Sequence, residues 1–68
     1  MNQGNMGFGE ALAYLEQGAK ITNETGRVYA KEGNDIVCYA NPINNPDHRY
    51  VVTKFFVDAI MSKQWRLL

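Results

Sequence analysis

The segment KITNETGRVYAKEGNDIVCYA, residues 20–40, constrains the fold most. It holds three short runs rich in β-branched and aromatic residues, broken by Thr25-Gly26 and Gly33-Asn34. Each break reads as a two-residue hairpin turn, because glycine reaches the positive φ that such turns require. Two adjacent hairpins predict a three-stranded antiparallel meander with a defined register. Arg27 then opposes Glu24, Ile21 opposes Ala30, Ala30 opposes Val37, and Val28 opposes Tyr39. Opposed side chains share a face and successive ones alternate. The register therefore predicts that Ile21, Val28, Ala30, Val37 and Tyr39 face a helix. Thr22, Arg27, Tyr29, Lys31, Ile36 and Cys38 fall on the other face, which is either wet or half of a subunit interface.

Before the meander, FGEALAYLEQGAK places Phe8, Ala11, Leu12 and Leu15 on one stripe of a helix. Glu10 in the first turn and Lys20 beyond the last suit the helix dipole, and Gly18 is the expected stop. After the meander comes NPINNPDHRY, residues 41–50, a stretch of turn formers that opposes regular structure. YVV then suggests a short strand. KFFVDAIMSK suggests a second helix with Thr53 as N-cap, with Phe56, Ala59, Ile60 and Lys63 on one side. Its apolar residues cover a wide arc, which predicts packing on two sides. QWRLL reads as a closing strand. The expectation is an α+β domain over residues 7–68, behind a flexible leader at 1–6. It has a small antiparallel sheet of about four strands and two short helices, in the order α-β-β-β-(β)-α-β.

A chain of 68 residues has little material for a core; domains near this size bury only about 60% of the surface their unfolded chains expose. Cys38 is the lone cysteine, so no internal disulfide can form, and one Cys with one His cannot supply a closed zinc site. No cofactor is expected. The remaining staple is self-association, as a dimer or tetramer. Seven basic residues balance seven acidic ones, so no clustered cationic face is predicted for nucleic acid. No apolar run reaches the length of a membrane span, no secretory signal is read in the opening residues, and a lone thiol suits a reducing cytoplasm.

The candidate chemistry is recognition, not catalysis. Cys38 and His48 lack a third group to make a nucleophile–base set, and a mid-strand cysteine behaves as a small apolar residue. Asp35, Asp47 and Asp58 do not have metal-site spacing. Residues 41–50, by contrast, hold what a small nucleotide ligand needs: Asn44 and Asn45 for a base edge, His48 or Arg49 for phosphate, and Tyr50 for stacking. Tyr29 joins them as an aromatic with a polar tip. Composition alone favours a plain connecting loop rich in turn formers.

The ends of the chain add a resemblance. MGFGEALAYLEQGAKIT looks like the opening of the second Thoeris anti-defence family of phage proteins, and DAIMSKQWRLL is similar to that family's ending. The likeness covers roughly residues 6–22 and 56–68. The segment NETG replaces the family's usual Arg and Trp, Ala59 stands where its helix carries Asp, and Gln64 precedes the tryptophan in place of Asp. The resemblance implies a non-enzymatic, oligomeric protein that sequesters a cyclic ADP-ribose-type or cyclic oligonucleotide immune signal in the cytoplasm of an infected bacterial host. It transfers one pocket aromatic by position, onto Phe8. Some relatives imply an alternative role, inhibition of a host defence enzyme such as a CRISPR nuclease.

Overall fold

A computed structural model describes residues 6–68. The order is α1 (Phe8–Glu16), β1 (Ile21–Thr22), β2 (Val28–Glu32), β3 (Asp35–Tyr39), β4 (Tyr50–Val51), α2 (Val57–Met61) and β5 (Arg66–Leu67). The five strands form one antiparallel sheet in the order β4-β3-β2-β1-β5. The fold is thus the expected α+β domain, with five strands. The leader expected at 1–5 lies outside the described residues. Met6, also assigned to the leader, is 8% exposed and exchanges both backbone hydrogen bonds with Trp65, so the folded domain includes it.

α1 follows its sequence pattern. Ala11 and Leu15 are buried, and Phe8 and Leu12 pack beside them. The helix ends in a paired closure: Gly18 N–H donates to the Leu15 carbonyl and Ala19 N–H to the Tyr14 carbonyl, each near 3 Å. Gly18 sits at φ 99° to make both bonds. The β2–β3 hairpin also has the predicted register, with Ala30 opposite Val37 and Val28 opposite Tyr39. Gly33 alone of its two turn residues has positive φ, the pattern of a type II′ turn.

The first hairpin differs. Ile21 opposes Tyr29 and Thr22 opposes Val28, so Asn23 to Arg27 form a longer loop. The cause is Asn23. Its Oδ1 accepts from the Thr25 N–H at 3.0 Å and from the Thr25 hydroxyl at 2.6 Å. Gly26 N–H then closes onto the Asn23 carbonyl. Asn23 therefore opens the turn and Gly26 ends it, the preferences of the first and fourth turn positions. A one-residue slip moves a strand's side chains to the opposite face. Ile21, Tyr29 and Cys38 consequently face α1 and share a core with Met6, Ala11, Leu15 and Trp65. The expectation that Val28, Ala30, Val37 and Tyr39 cover the helix is overturned; they lie on the back of the sheet.

Residues 41–49 account for that back face, where Val28, Ala30 and Val37 are nonetheless buried. Pro42 and Pro46 line a depression with Val28 and Tyr39. Arg49 Nε donates to Glu32 Oε1 at 2.9 Å, while the Tyr39 hydroxyl donates to Glu32 Oε2 at 2.9 Å. The polar loop is a cover for the sheet.

α2 is shorter than expected. Phe55 turns inward, its ring 4.9 Å from Phe8 and 5.2 Å from Tyr29. The chain stays extended through Phe56, which occupies the N-cap position in place of Thr53. Ala59, not Phe56 or Ile60, packs toward the core. Two contacts tie the helix down: Trp65 Nε1 donates to the Ala59 carbonyl at 3.0 Å, and the Ser62 hydroxyl to Glu24 Oε1 at 2.8 Å.

Candidate functional site

The Asn23–Arg27 loop also sets the direction of Arg27. Its N–H donates to the Thr25 hydroxyl at 3.3 Å and its carbonyl accepts from the Thr22 hydroxyl at 2.7 Å. Two residues before Tyr29 on the same strand line, Arg27 projects on the helix side. There it borders two adjoining chambers. One, of about 180 Å³, is lined by Tyr29, Tyr50, Lys54, Phe55 and Phe56 among others. The other, of about 220 Å³, runs toward Asn23, Glu24 and Asp58. Arg27, Tyr29 and Phe56 belong to both, so the two form one groove between the sheet and the chain leading into α2.

Among the described residues the Arg27 guanidinium makes no hydrogen bond or ion pair. Its charge nevertheless acts on the groove floor. Tyr29 is pushed up to about 12 by burial and then by the neighbouring Cys38 and Tyr50, while Arg27 pulls it down. Tyr50 is also raised, first by its hydrogen bond with Cys38 and then by desolvation, with Arg27 again opposing. Both phenols therefore stay neutral at physiological pH, as hydrogen-bonding rims on apolar rings. Chemically, the groove offers an exposed guanidinium for charge-assisted bonds to an anion, a second cation in Lys54, and aromatic faces for a planar ring.

Of the residues expected from the sequence, Tyr29 and Tyr50 meet here. Phe8 stands behind the groove, in edge contact with Phe55 and 5.9 Å from the ring of Trp65. Asn44, Asn45, His48 and Arg49 lie elsewhere, on the exposed back-face loop. Asn45 N–H donates to the Asn41 carbonyl and His48 N–H to the Asn45 carbonyl, so this backbone is committed to its own turns. His48 and Arg49 meet Tyr50 in an adjoining depression of about 360 Å³, which shares Tyr50 and Val51 with the groove; Glu32, Asp35 and Asp47 also line it, and their carboxylates disfavour an anion. Sequence reasoning missed Arg27, Lys54, Phe56 and Asp58 as groove residues. The legible signal was Asn23 with Gly26 three places later, which sets the turn and so presents Arg27 beside Tyr29.

No family model, curated protein or solved structure matches this chain. No helix among the described residues is long and apolar enough to cross a membrane.

Proposed function

We propose that this protein binds and sequesters a cyclic nucleotide immune signal, of cyclic ADP-ribose type or a cyclic oligonucleotide, without hydrolysing it. It acts as a homo-oligomer in the cytoplasm of an infected bacterial host. The carrying observation is that Arg27, whose guanidinium has no hydrogen bond or ion pair among the described residues, lines one chamber with Tyr29, Tyr50 and Phe56. A charged donor beside stacking surfaces suits a phosphate attached to a base. The resemblance of residues 6–22 and 56–68 to an anti-defence family supports the same ligand class. The anion site moves from the expected Arg49, which is paired with Glu32, to Arg27.

Thermal shift and titration with cyclic ADP-ribose and with cyclic di- and trinucleotides test this. At a hundredfold excess over Kd the cognate ligand adds about 2.7 kcal/mol, which at about 4–8 °C per kcal/mol raises Tm by roughly 10–20 °C. Arg27→Ala should weaken binding about 10- to 100-fold, the scale of a hydrogen bond to a charged group, while Arg49→Ala binds as wild type. No shift with any probe, or unchanged binding by Arg27→Ala, refutes the reading.

A second reading has its own observation. Phe56, Val57 and Met61 are 70, 71 and 70% exposed, on a helix with no buried residue. Such a patch suits a protein partner, which favours direct inhibition of a host defence enzyme. A folded protein that ignores every nucleotide yet inhibits a CRISPR nuclease in a cleavage assay would support this alternative.

A further inference from the structure

The chamber beside α2 has a different chemistry from its neighbour. It is walled by Asn23, Glu24, Arg27, Phe56 and Asp58, among others. Asn23 Oδ1 is occupied by Thr25, and Glu24 Oε1 by Ser62. The Asp58 carboxylate has no hydrogen bond or ion pair among the described residues. A carboxylate only accepts hydrogen bonds. An anionic group is disfavoured here by Glu24 and Asp58. Arg27 at the other end of the same wall offsets one of these two carboxylates and is the place for an anion, so the Asp58 end is left as an open acceptor. A metal ion lacks its donor set, since no three His, Cys, Asp or Glu side chains come together among the described residues. A neutral hydrogen-bond donor, set beside the exposed Phe56, fits this unpaired acceptor.

We infer that this chamber is a sugar subsite, in which Asp58 accepts hydrogen bonds from ribose hydroxyls of a ligand whose phosphate is held by Arg27. The inference rests on the nucleotide reading above. Arg27 borders both chambers, so a phosphate bound there lets a sugar enter on the Asp58 side while a base lies against Tyr29 and Tyr50. An acidic side chain that receives a ribose hydroxyl is a recurrent solution in nucleotide binding. Asp58 thereby makes the groove selective for ribose over deoxyribose, a discrimination that stacking and phosphate contacts do not supply.

The test compares two probes by titration calorimetry: cyclic ADP-ribose, and its analogue lacking both ribose 2′-hydroxyls. Wild type is expected to prefer the hydroxylated probe about tenfold or more, the scale of one hydrogen bond to a charged acceptor. Asp58→Ala removes the preference by weakening only the hydroxylated probe, with an unchanged melting temperature, because Asp58 is exposed. Asp58→Asn, which keeps one acceptor oxygen, retains part of the preference. Equal binding of both probes by wild type, with loss of both in Arg27→Ala, overturns the sugar subsite and leaves the nucleotide reading intact. Asp58→Ala weakening both probes alike also overturns it. Failure of wild type to bind either probe overturns this inference, and failure across the wider panel overturns the nucleotide reading as well.

Discussion

Trp65→Phe separates the anchoring of α2 from the packing around it. The indole is fully buried, touches Phe8 and Tyr29, and reaches the Ala59 carbonyl through Nε1 at 3.0 Å. Phenylalanine keeps an aromatic ring but loses the N–H and part of the volume. The lost bond costs about 1 kcal/mol. Truncating a buried Trp or Phe to Ala costs about 3–5 kcal/mol, so the partial loss of volume adds about 1–2. Together these approach roughly 2–3 kcal/mol in a 68-residue chain, whose whole stability is on the order of 3–10 kcal/mol at the usual 0.05–0.15 per residue. Tm should fall by roughly 10–20 °C in a circular dichroism melt. The loss should be local first, since α2 buries no residue of its own. Trypsin should then cut faster at Lys54 and Lys63, which flank the helix, than at Lys31 in the sheet. Nucleotide affinity should fall too, because Phe56 and Asp58 move with α2. A Tm drop below about 4 °C with unchanged cleavage at Lys54 and Lys63 would refute the anchoring argument.

Two further outcomes are expected. Gly18→Ala meets no steric neighbour, yet its φ of 99° lies where a Cβ is strained, so it should lose about 1–2 kcal/mol in urea unfolding; a neutral result would mean that the α1 closure relaxes without penalty. Glu32 is held below its ordinary carboxyl value by the Tyr39 hydroxyl and then by Arg49. A depressed folded value means that its stabilisation is present above the unfolded pKa and is lost as pH falls through the folded one. The protection of the Asn45 and His48 amides, taken relative to their intrinsic exchange at each pH, should therefore hold at pH 5 and fall in stronger acid, below 4.5, and Glu32→Gln should abolish that pH dependence; an acid profile identical in Glu32→Gln would place the anchor elsewhere.

Local signals were legible where one short stretch decides the geometry. The Phe8–Leu15 stripe needs only its own spacing, and Gly18 marks its end. Gly33-Asn34 leaves the β2–β3 register one simple solution. NETG offers two. Read by backbone preference alone, Thr25-Gly26 is the tightest turn. Its observed geometry depends on the Asn23 side chain capturing Thr25, a hydrogen bond that no periodicity reports. α2 was overextended for a similar reason: Phe55 gains more by joining Phe8 and Tyr29 than its segment gains from another helical turn.

The slip at Asn23 also governs where a site can be. With Ile21 opposite Ala30, Arg27 would have met Glu24 across the turn, and Tyr29 would have faced away from α1. With Ile21 opposite Tyr29, Tyr29 floors the helix side, Tyr50 follows through Cys38, and Arg27 is left unpaired beside them. The same register puts Val28, Ala30 and Val37 on the back, where they need a cover, and residues 41–49 provide it with Pro42, Pro46 and the Arg49–Glu32 pair. A cover and a ligand-reading loop have the same composition: asparagines, prolines, an arginine and a tyrosine. Composition cannot choose between them; the hydrogen bond from Thr25 to Asn23 does, because it decides that Arg27 stands beside Tyr29 and Tyr50 and not opposite Glu24.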